Sequence, residues 1–122
     1  MIIIMTEDRM KGITKRLRRV SRGLGVDLRH SACLELAARL CGFKDWYAYL
    51  NRDLDAPLSL LDEDLSEEEF AARDSFQMRV LEASGLGKVA AELLDRANPT
   101  GSWARQAAGE PIWEPLAGND PL

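Results

Sequence analysis

The sequence predicts an all-α fold, a compact bundle of about five helices followed by an irregular C-terminal strap rich in proline and glycine. Apolar residues recur at helical spacings over much of the first 98 residues, and residues that start or end helices separate these stretches. Residues 99–122 hold four of the five prolines and lack helical or strand periodicity. We therefore expect a helical domain over residues 1–98 and a tail or strap over residues 99–122.

Length and composition exclude several classes of protein. A chain of 122 residues is the size of one ordinary domain. Its 46% hydrophobic and 30% charged residues fit neither a disordered chain nor a membrane protein. The opening apolar run, residues 1–5, is too short for a signal sequence or a membrane span, so we expect a cytoplasmic protein. This run is compatible with an edge strand, a frayed end or a leader before a true start at Met5.

The first helix is predicted over residues 7–22. Thr6 is a suitable N-cap, and an apolar stripe follows: Met10, Ile13, Leu17, Val20 and Leu24. The rest of the circumference is cationic and forms a candidate basic interaction face of Lys11, Lys15, Arg16, Arg18, Arg19 and Arg22. Such a face can contact nucleic-acid phosphates, or it can pair with the acidic second half of the chain.

The second helix is predicted as short and mostly buried, over residues 32–41, with Ser31 as its N-cap. Within it, Glu35 and Arg39 have the spacing of an i,i+4 ion pair. Gly42 suits the left-handed position that ends such a helix. A third helix follows, capped by Asp45, with Trp46, Tyr49 and Leu50 on one side and Tyr47 pointing elsewhere.

Both cysteines, Cys33 and Cys41, lie on the second helix. Eight residues of helix span about 12 Å, which is too far for a disulfide, so we expect buried free thiols and a reducing compartment. The single histidine, His30, cannot complete a zinc site with them. No metal or cofactor is therefore expected.

Residues 53–65 are an acidic connector, and residues 66–98 are predicted to form a pair of helices. Ser66 and Glu69 make a capping box, and Gly85 ends the first of these helices after about Ser84. The second runs from Leu86 to Ala97, where Asn98-Pro99 stops it. A candidate acidic interaction face covers the connector and the capping box: Asp62, Glu63, Asp64, Glu67 and Glu68. In the tail, Trp103 and Trp113 are candidate anchors that pin it to the helices or to a partner.

The charge is strongly polarised along the chain. Residues 1–52 hold 11 Lys and Arg against 5 Asp and Glu, whereas residues 53–122 hold 5 against 15. The two halves therefore carry +6 and −10, a difference that bears on partners rather than on fold.

One stretch has the character of a family motif: Asp27-Leu28-Arg29-His30-Ser31-Ala32-Cys33-Leu34-Glu35-Leu36-Ala37-Ala38, followed by Gly42-Phe43-Lys44-Asp45-Trp46. With the basic first helix, residues 10–50 resemble the small helical domain of bacterial glyoxalase-superfamily-related proteins. In that family the domain accompanies a glyoxalase-like metalloenzyme fold or stands without it. The glyoxalase metal ligands have no match here, so the resemblance implies ancestry rather than lyase activity. Tyr47 departs from the pattern, which often has Asn after the Trp.

The motifs favour an interaction module over an enzyme. The chain lacks a Ser-His-Asp set, a phosphate loop, an HExxH motif and a dinucleotide fingerprint. A helix-turn-helix is disfavoured because residues 45–50 offer no Arg, Asn or Gln for base recognition. We expect a non-catalytic interaction or regulatory module that binds another protein rather than nucleic acid or a membrane, consistent with a bacterial mobile element. Two alternatives remain: phosphate-backbone binding through the first helix, and an inhibitor whose acidic surface mimics nucleic acid.

Overall fold

In a computed structural model, which describes residues 1–101, this part of the chain forms five α-helices and two short 3₁₀ turns. The helices are α1 (Glu7–Gly23), α2 (His30–Leu40), α3 (Trp46–Leu50), α4 (Glu67–Ala83) and α5 (Ala90–Ala97). The 3₁₀ turns are Asp62–Asp64 and Gly87–Val89. The predicted all-α bundle of about five helices is confirmed. Trp103 and Trp113 lie outside the described residues.

Helix α1 follows the sequence pattern closely. Thr6 is the N-cap, and its side-chain oxygen accepts a hydrogen bond from the Arg9 amide at 3.2 Å. Met10, Ile13 and Leu17 are buried where α1 packs against α2 and α5. The local pattern therefore determines both where this helix begins and which side faces the core.

Helix α2 lies at the centre of the core, but its start differs from the prediction. It begins at His30, two residues before the predicted start, and Arg29 occupies the N-cap position without a side-chain cap. The Arg29 carbonyl accepts from the Cys33 amide at 3.0 Å, so the first turn is closed before Ser31 could act as a cap. The predicted capping role of Ser31 is wrong, because Ser31 already lies inside the helix, whose first turn has one buried side chain, Cys33.

The predicted ion pair within α2 is also replaced by other contacts. Glu35 accepts a hydrogen bond from the Trp46 amide at 2.8 Å, so its carboxylate helps to satisfy the start of α3. Arg39 donates from Nε to the Lys44 carbonyl at 3.4 Å. Both side chains therefore hold the turn that joins α2 to α3.

That turn requires glycine at position 42 for two reasons. Gly42 has φ +90°, and a Cβ there would collide with the carbonyl of Met1. Asp45 then caps α3 as predicted, accepting from the Ala48 amide at 2.8 Å. Tyr49 is fully buried and Tyr47 is 73% exposed, but Leu50 is 51% exposed and does not join the buried side.

The first five residues form a non-helical segment whose Ile3 and Met5 side chains pack into the core. The Ile3 amide donates to the Cys41 carbonyl at 2.7 Å, and Ile4 exchanges two hydrogen bonds with Ser59 of the connector, at 2.8 and 2.9 Å. Ile3 and Met5 are buried. The frayed-end hypothesis is therefore wrong.

Helix α4 has the predicted capping box between Ser66 and Glu69, and Gly85 follows its last turn with φ +81°. Its buried positions include two polar side chains, Arg73 and Gln77, as well as Leu81. After the 3₁₀ turn, α5 buries Ala90, Leu93 and Ala97 and ends at Asn98, which is left-handed at φ +46°.

Candidate functional site

A groove of about 570 Å³ lies between α4 and α5. Its lining residues are Asp62, Glu63, Phe70, Asp74, Gln77, Met78, Ala91, Leu94, Asp95, Asn98 and Pro99. The groove is partly open to solvent, and it combines apolar side chains with carboxylates.

Helix geometry brings these two kinds of side chain together. Phe70, Asp74 and Met78 follow one another at intervals of four residues, so they share one side of α4. Leu94 and Asp95 supply the opposite wall from α5. Phe70 is 44% exposed although it is a large apolar residue. The groove therefore presents a partly exposed aromatic ring close to acidic side chains.

The connector wall of the groove is fixed by a buried ion pair. Arg73 Nη1 lies 3.0 Å from Asp62 Oδ1, and the two side chains are only 9% and 15% exposed. The same carboxylate oxygen accepts from the Thr100 hydroxyl at 2.8 Å. Arg73 also donates to the Leu60 carbonyl at 2.9 Å. The negative charge of Asp62 is therefore neutralised within the protein.

A second buried side chain extends this network to the core. Gln77 Nε2 donates to Thr100 Oγ1 at 3.0 Å and to the carbonyl of Leu40 at 3.3 Å. The Asp62 amide donates to the Thr100 carbonyl at 3.0 Å. These bonds join α2, α4, the connector and the chain that follows α5. Because the buried polar groups are paired, they stiffen the wall of the groove.

The predicted acidic face divides between two roles. Asp62 is a structural residue rather than an exposed interaction residue, because it is committed to Arg73 and Thr100. Glu63 lines the groove. The others, Asp64, Glu67 and Glu68, are exposed just beyond the groove around the start of α4.

One residue of the predicted basic face, Arg16, does not belong to the exposed surface. Arg16 turns towards α5, where Nε donates to the Ala97 carbonyl at 2.7 Å and Nη2 donates to the Asn98 carbonyl at 3.2 Å. Burial, together with the nearby cations Arg19 and Arg9, lowers the pKa of Arg16 to about 10. It therefore caps the carbonyl end of α5 instead of facing solvent. The exposed members of the face are Lys11, Lys15, Arg18, Arg19 and Arg22.

Both cysteines are free thiols in the core, as predicted. Burial raises the pKa of Cys41 to about 12 and also raises that of Cys33. Cys41 Sγ lies 3.8 Å from the sulfur of Met10. A protonated, buried thiol is a packing group and not a nucleophile.

Two residues of the network had little signal in the sequence. Arg73 and Gln77 are polar residue types that are usually exposed, yet they occupy the buried positions of α4. The available clue was that Arg73, Gln77 and Leu81 follow one another at intervals of four residues. It places all three on one helix face but does not say that the face is buried.

Within residues 1–101, no three His, Cys, Asp or Glu side chains are grouped so that they could hold a metal ion. Among the helices of the same range, none is both long and apolar enough to span a membrane.

The comparisons with known proteins bear on most of the helical domain but not on α5. Neither the curated proteins nor the solved structures contain a match. A family model described as "glyoxalase superfamily protein" matches residues 3–89. This range contains α1 to α4 and extends the resemblance beyond residues 10–50. Since the match covers well over half of the sequence, the chain belongs to this glyoxalase superfamily protein family.

Proposed function

We propose that the protein is a non-catalytic interaction module that binds another protein through the groove between α4 and α5. The observation that carries the proposal is the exposed ring of Phe70, which lines the same groove as Met78 and Leu94 together with several carboxylates. Exposed aromatic and methionine side chains are typical of protein interfaces, where they become the buried centre.

The shape and charge of the groove indicate how a partner would bind. A channel between two helices can accept an amphipathic helix whose apolar side chains enter it. Asp74 lies between Phe70 and Met78 on α4, and exposed Glu67 and Glu68 extend the negative charge towards the start of that helix. The proposed partner segment is therefore apolar on one side and basic at its edges, since complementary charge aligns and accelerates association.

An affinity experiment tests this function. The full chain is used as bait in a nuclease-treated lysate, alongside Phe70→Glu and a matched control, Leu58→Glu, which changes an exposed apolar residue outside the groove. A protein captured by the wild type and the control but lost with Phe70→Glu supports the proposal. A partner that disappears with nuclease treatment, or that Phe70→Glu retains, contradicts it.

The acidic-inhibitor hypothesis is a narrower form of the same proposal. If the partner's basic site normally holds nucleic acid, duplex DNA added to the captured complex should release the partner from the groove. Regulators of this kind are consistent with a bacterial mobile element. The free thiols Cys33 and Cys41 fit a reducing compartment such as the cytoplasm.

A second candidate function is phosphate-backbone binding through α1. Lys11, Lys15, Arg18 and Arg22 are exposed and share one side of the helix, at spacings of four, three and four. Binding to duplex DNA would weaken with salt, with a log-log slope of about −0.9 for each phosphate contacted. Reversing Lys15 and Arg18 to Glu tests this face without disturbing Arg16, which holds α5.

We expect the nucleic-acid function to fail this test. The acidic second half of the chain repels a polyanion, so duplex binding should be no tighter than about 10 μM at physiological salt. Sub-micromolar binding in an anisotropy titration, abolished by the double reversal, would replace the groove proposal with this one.

A further inference from the structure

We propose that a second site, a cleft between the end of α2 and the second half of α4, binds a small molecule that joins an apolar ring to one anionic group. The cleft has a volume of about 500 Å³. Its lining residues are Arg39, Gly42, Phe43, Lys44, Phe76, Val80, Ala83 and Ser84. None of these residues lines the groove between α4 and α5, so the two sites are separate.

Two half-buried phenyl rings give the cleft its apolar surface. Phe43 comes from the turn after α2, and Phe76 comes from α4. The Phe43 ring packs edge-on against buried Tyr49, with 5.5 Å between ring centroids and 82° between ring planes. The contact with Tyr49 holds one side of Phe43 in place. The cleft offers room for a ligand ring near Phe43 and Phe76.

The backbone behind Phe43 is equally constrained. Gly42 adopts φ +90°, and the carbonyl of Met1 occupies the space that a Cβ would need. The Phe43 amide donates to the Ala38 carbonyl at 3.0 Å. This wall of the cleft is therefore formed before any ligand arrives, which lowers the entropic cost of binding.

The charged residues that line the cleft are both cations. Arg39 Nε donates to the Lys44 carbonyl at 3.4 Å, which draws the guanidinium towards the segment that carries the Lys44 ammonium. The remaining Arg39 N–H groups and the ammonium can donate to a carboxylate, sulfate or phosphate. In a chain with a net charge of −4, a cleft without carboxylates among its lining residues selects for an anion.

The position of the cleft favours a small molecule over a protein segment. Its volume, like that of the α4/α5 groove, lies within the roughly 300–1,000 Å³ of ligand pockets and does not distinguish the two sites. The turn at Gly42 borders the cleft on one side, and α4 ends at its Ala83 and Ser84. The cleft also lies wholly within residues 3–89, which match the family model, whereas the α4/α5 groove is completed by residues beyond that range.

Naphthalene-2-sulfonate is the probe for the first experiment, titrated into the ¹⁵N-labelled full chain. We expect saturable amide shifts around residues 42–44 and 76–84, because these segments contribute side chains to the cleft. Naphthalen-2-ylmethylammonium has the same ring with the opposite charge, and its affinity should be lower by about tenfold or more. Methanesulfonate, which lacks the ring, should not saturate in the same concentration range.

Two pairs of variants locate the site. Lys44→Glu should weaken probe binding about tenfold, whereas Lys88→Glu makes the same charge change at an exposed position outside the cleft and should leave it unchanged. Ala83→Trp should block the probe by filling the cleft, whereas Ala72→Trp adds the same side chain to an exposed part of α4 outside it. Far-ultraviolet circular dichroism checks that each variant is folded.

Several results would overturn the inference. One is that the ammonium analogue binds as tightly as naphthalene-2-sulfonate. Another is that the amide shifts are confined to the α4/α5 groove. A third is that Lys44→Glu and Ala83→Trp both leave the affinity for the probe unchanged. Self-association of the chain that Ala83→Trp abolishes would assign the cleft to a second copy instead. Phe70→Glu should not alter probe binding, so this inference can fail or succeed independently of the proposed function.

Discussion

Arg73 and Asp62 form a buried ion pair that joins α4 to the connector, with 3.0 Å between Arg73 Nη1 and Asp62 Oδ1. The pair lies at the connector wall of the groove, where Asp62 also accepts from Thr100, which in turn accepts from Gln77. Desolvation of two charges offsets much of their attraction, so the pair need not stabilise the fold strongly as a unit. Removal of one partner, however, leaves a buried charge without compensation.

Asp62→Ala should therefore lower the free energy of unfolding by about 3 kcal/mol, the lower end for a broken buried pair because Asp62 is slightly exposed. Asp64→Ala removes an exposed carboxylate from the same 3₁₀ turn and should change stability by less than about 0.5 kcal/mol. Urea denaturation of the two variants measures the difference. Equal stabilities would show that the network does not hold the connector.

The local features of this fold were predictable because neighbouring residues determine them. The Thr6 cap, the apolar stripe of α1 and the capping box at Ser66 each depend on residues only a few positions apart. Long-range partners were not predictable in this way. The helical pattern places Arg16 on a solvated face, yet its acceptors are the carbonyls of Ala97 and Asn98, more than 80 positions away.

The candidate site was also predictable only in its local features. The sequence indicated an acidic surface around residues 62–68, but it did not indicate the groove, which exists only because α4 and α5 pack side by side. Nor did it separate Asp62, which is neutralised by Arg73, from its exposed neighbours. Which charged residues become buried depends on packing between segments, and one-dimensional periodicity carries no information about that.

Arg16→Ala should destabilise the protein by about 2 kcal/mol, because two charge-assisted hydrogen bonds to the end of α5 are lost. The adjacent Lys15 is exposed, so Lys15→Ala should have an effect below about 0.5 kcal/mol. Chemical denaturation of both variants provides the measurement. Similar effects of the two substitutions would show that Arg16 does not stabilise the end of α5 and behaves as a solvated residue.

Cys41 should make stability depend on pH in the alkaline range. Its pKa rises from 9.0 to about 12 because burial disfavours the thiolate, so above pH 9 the unfolded chain loses a proton that the folded protein keeps. The contribution of Cys41 to the free energy of unfolding is fully present below pH 9. It declines as the pH rises, by about 1 kcal/mol between pH 9 and 10. Cys41→Ala should show a correspondingly shallower decline in urea denaturation. An identical pH dependence in both proteins would refute the raised pKa.

Thr100 should determine how far the chain must extend for the helical domain to be stable. Its hydroxyl donates to Asp62 and accepts from Gln77, and its carbonyl accepts from the Asp62 amide. A chain that ends at Pro99 loses all three bonds, whereas a chain that ends at Gly101 keeps them. We expect the shorter chain to be less stable by about 2 kcal/mol, since Asp62 and Gln77 would lose their buried hydrogen bonds to Thr100.

Thr100→Val in the full chain is the matched test, because it removes only the hydroxyl while nearly preserving side-chain shape, and it should cost about 1 to 2 kcal/mol. If the two truncated chains unfold at the same urea concentration and Thr100→Val is neutral, the network does not depend on Thr100. The chain that ends at Gly101 also tests the predicted docking of Trp103 and Trp113. Docking onto the helices would make the full chain more stable than this truncated form, whereas anchors reserved for a partner would leave the two equally stable.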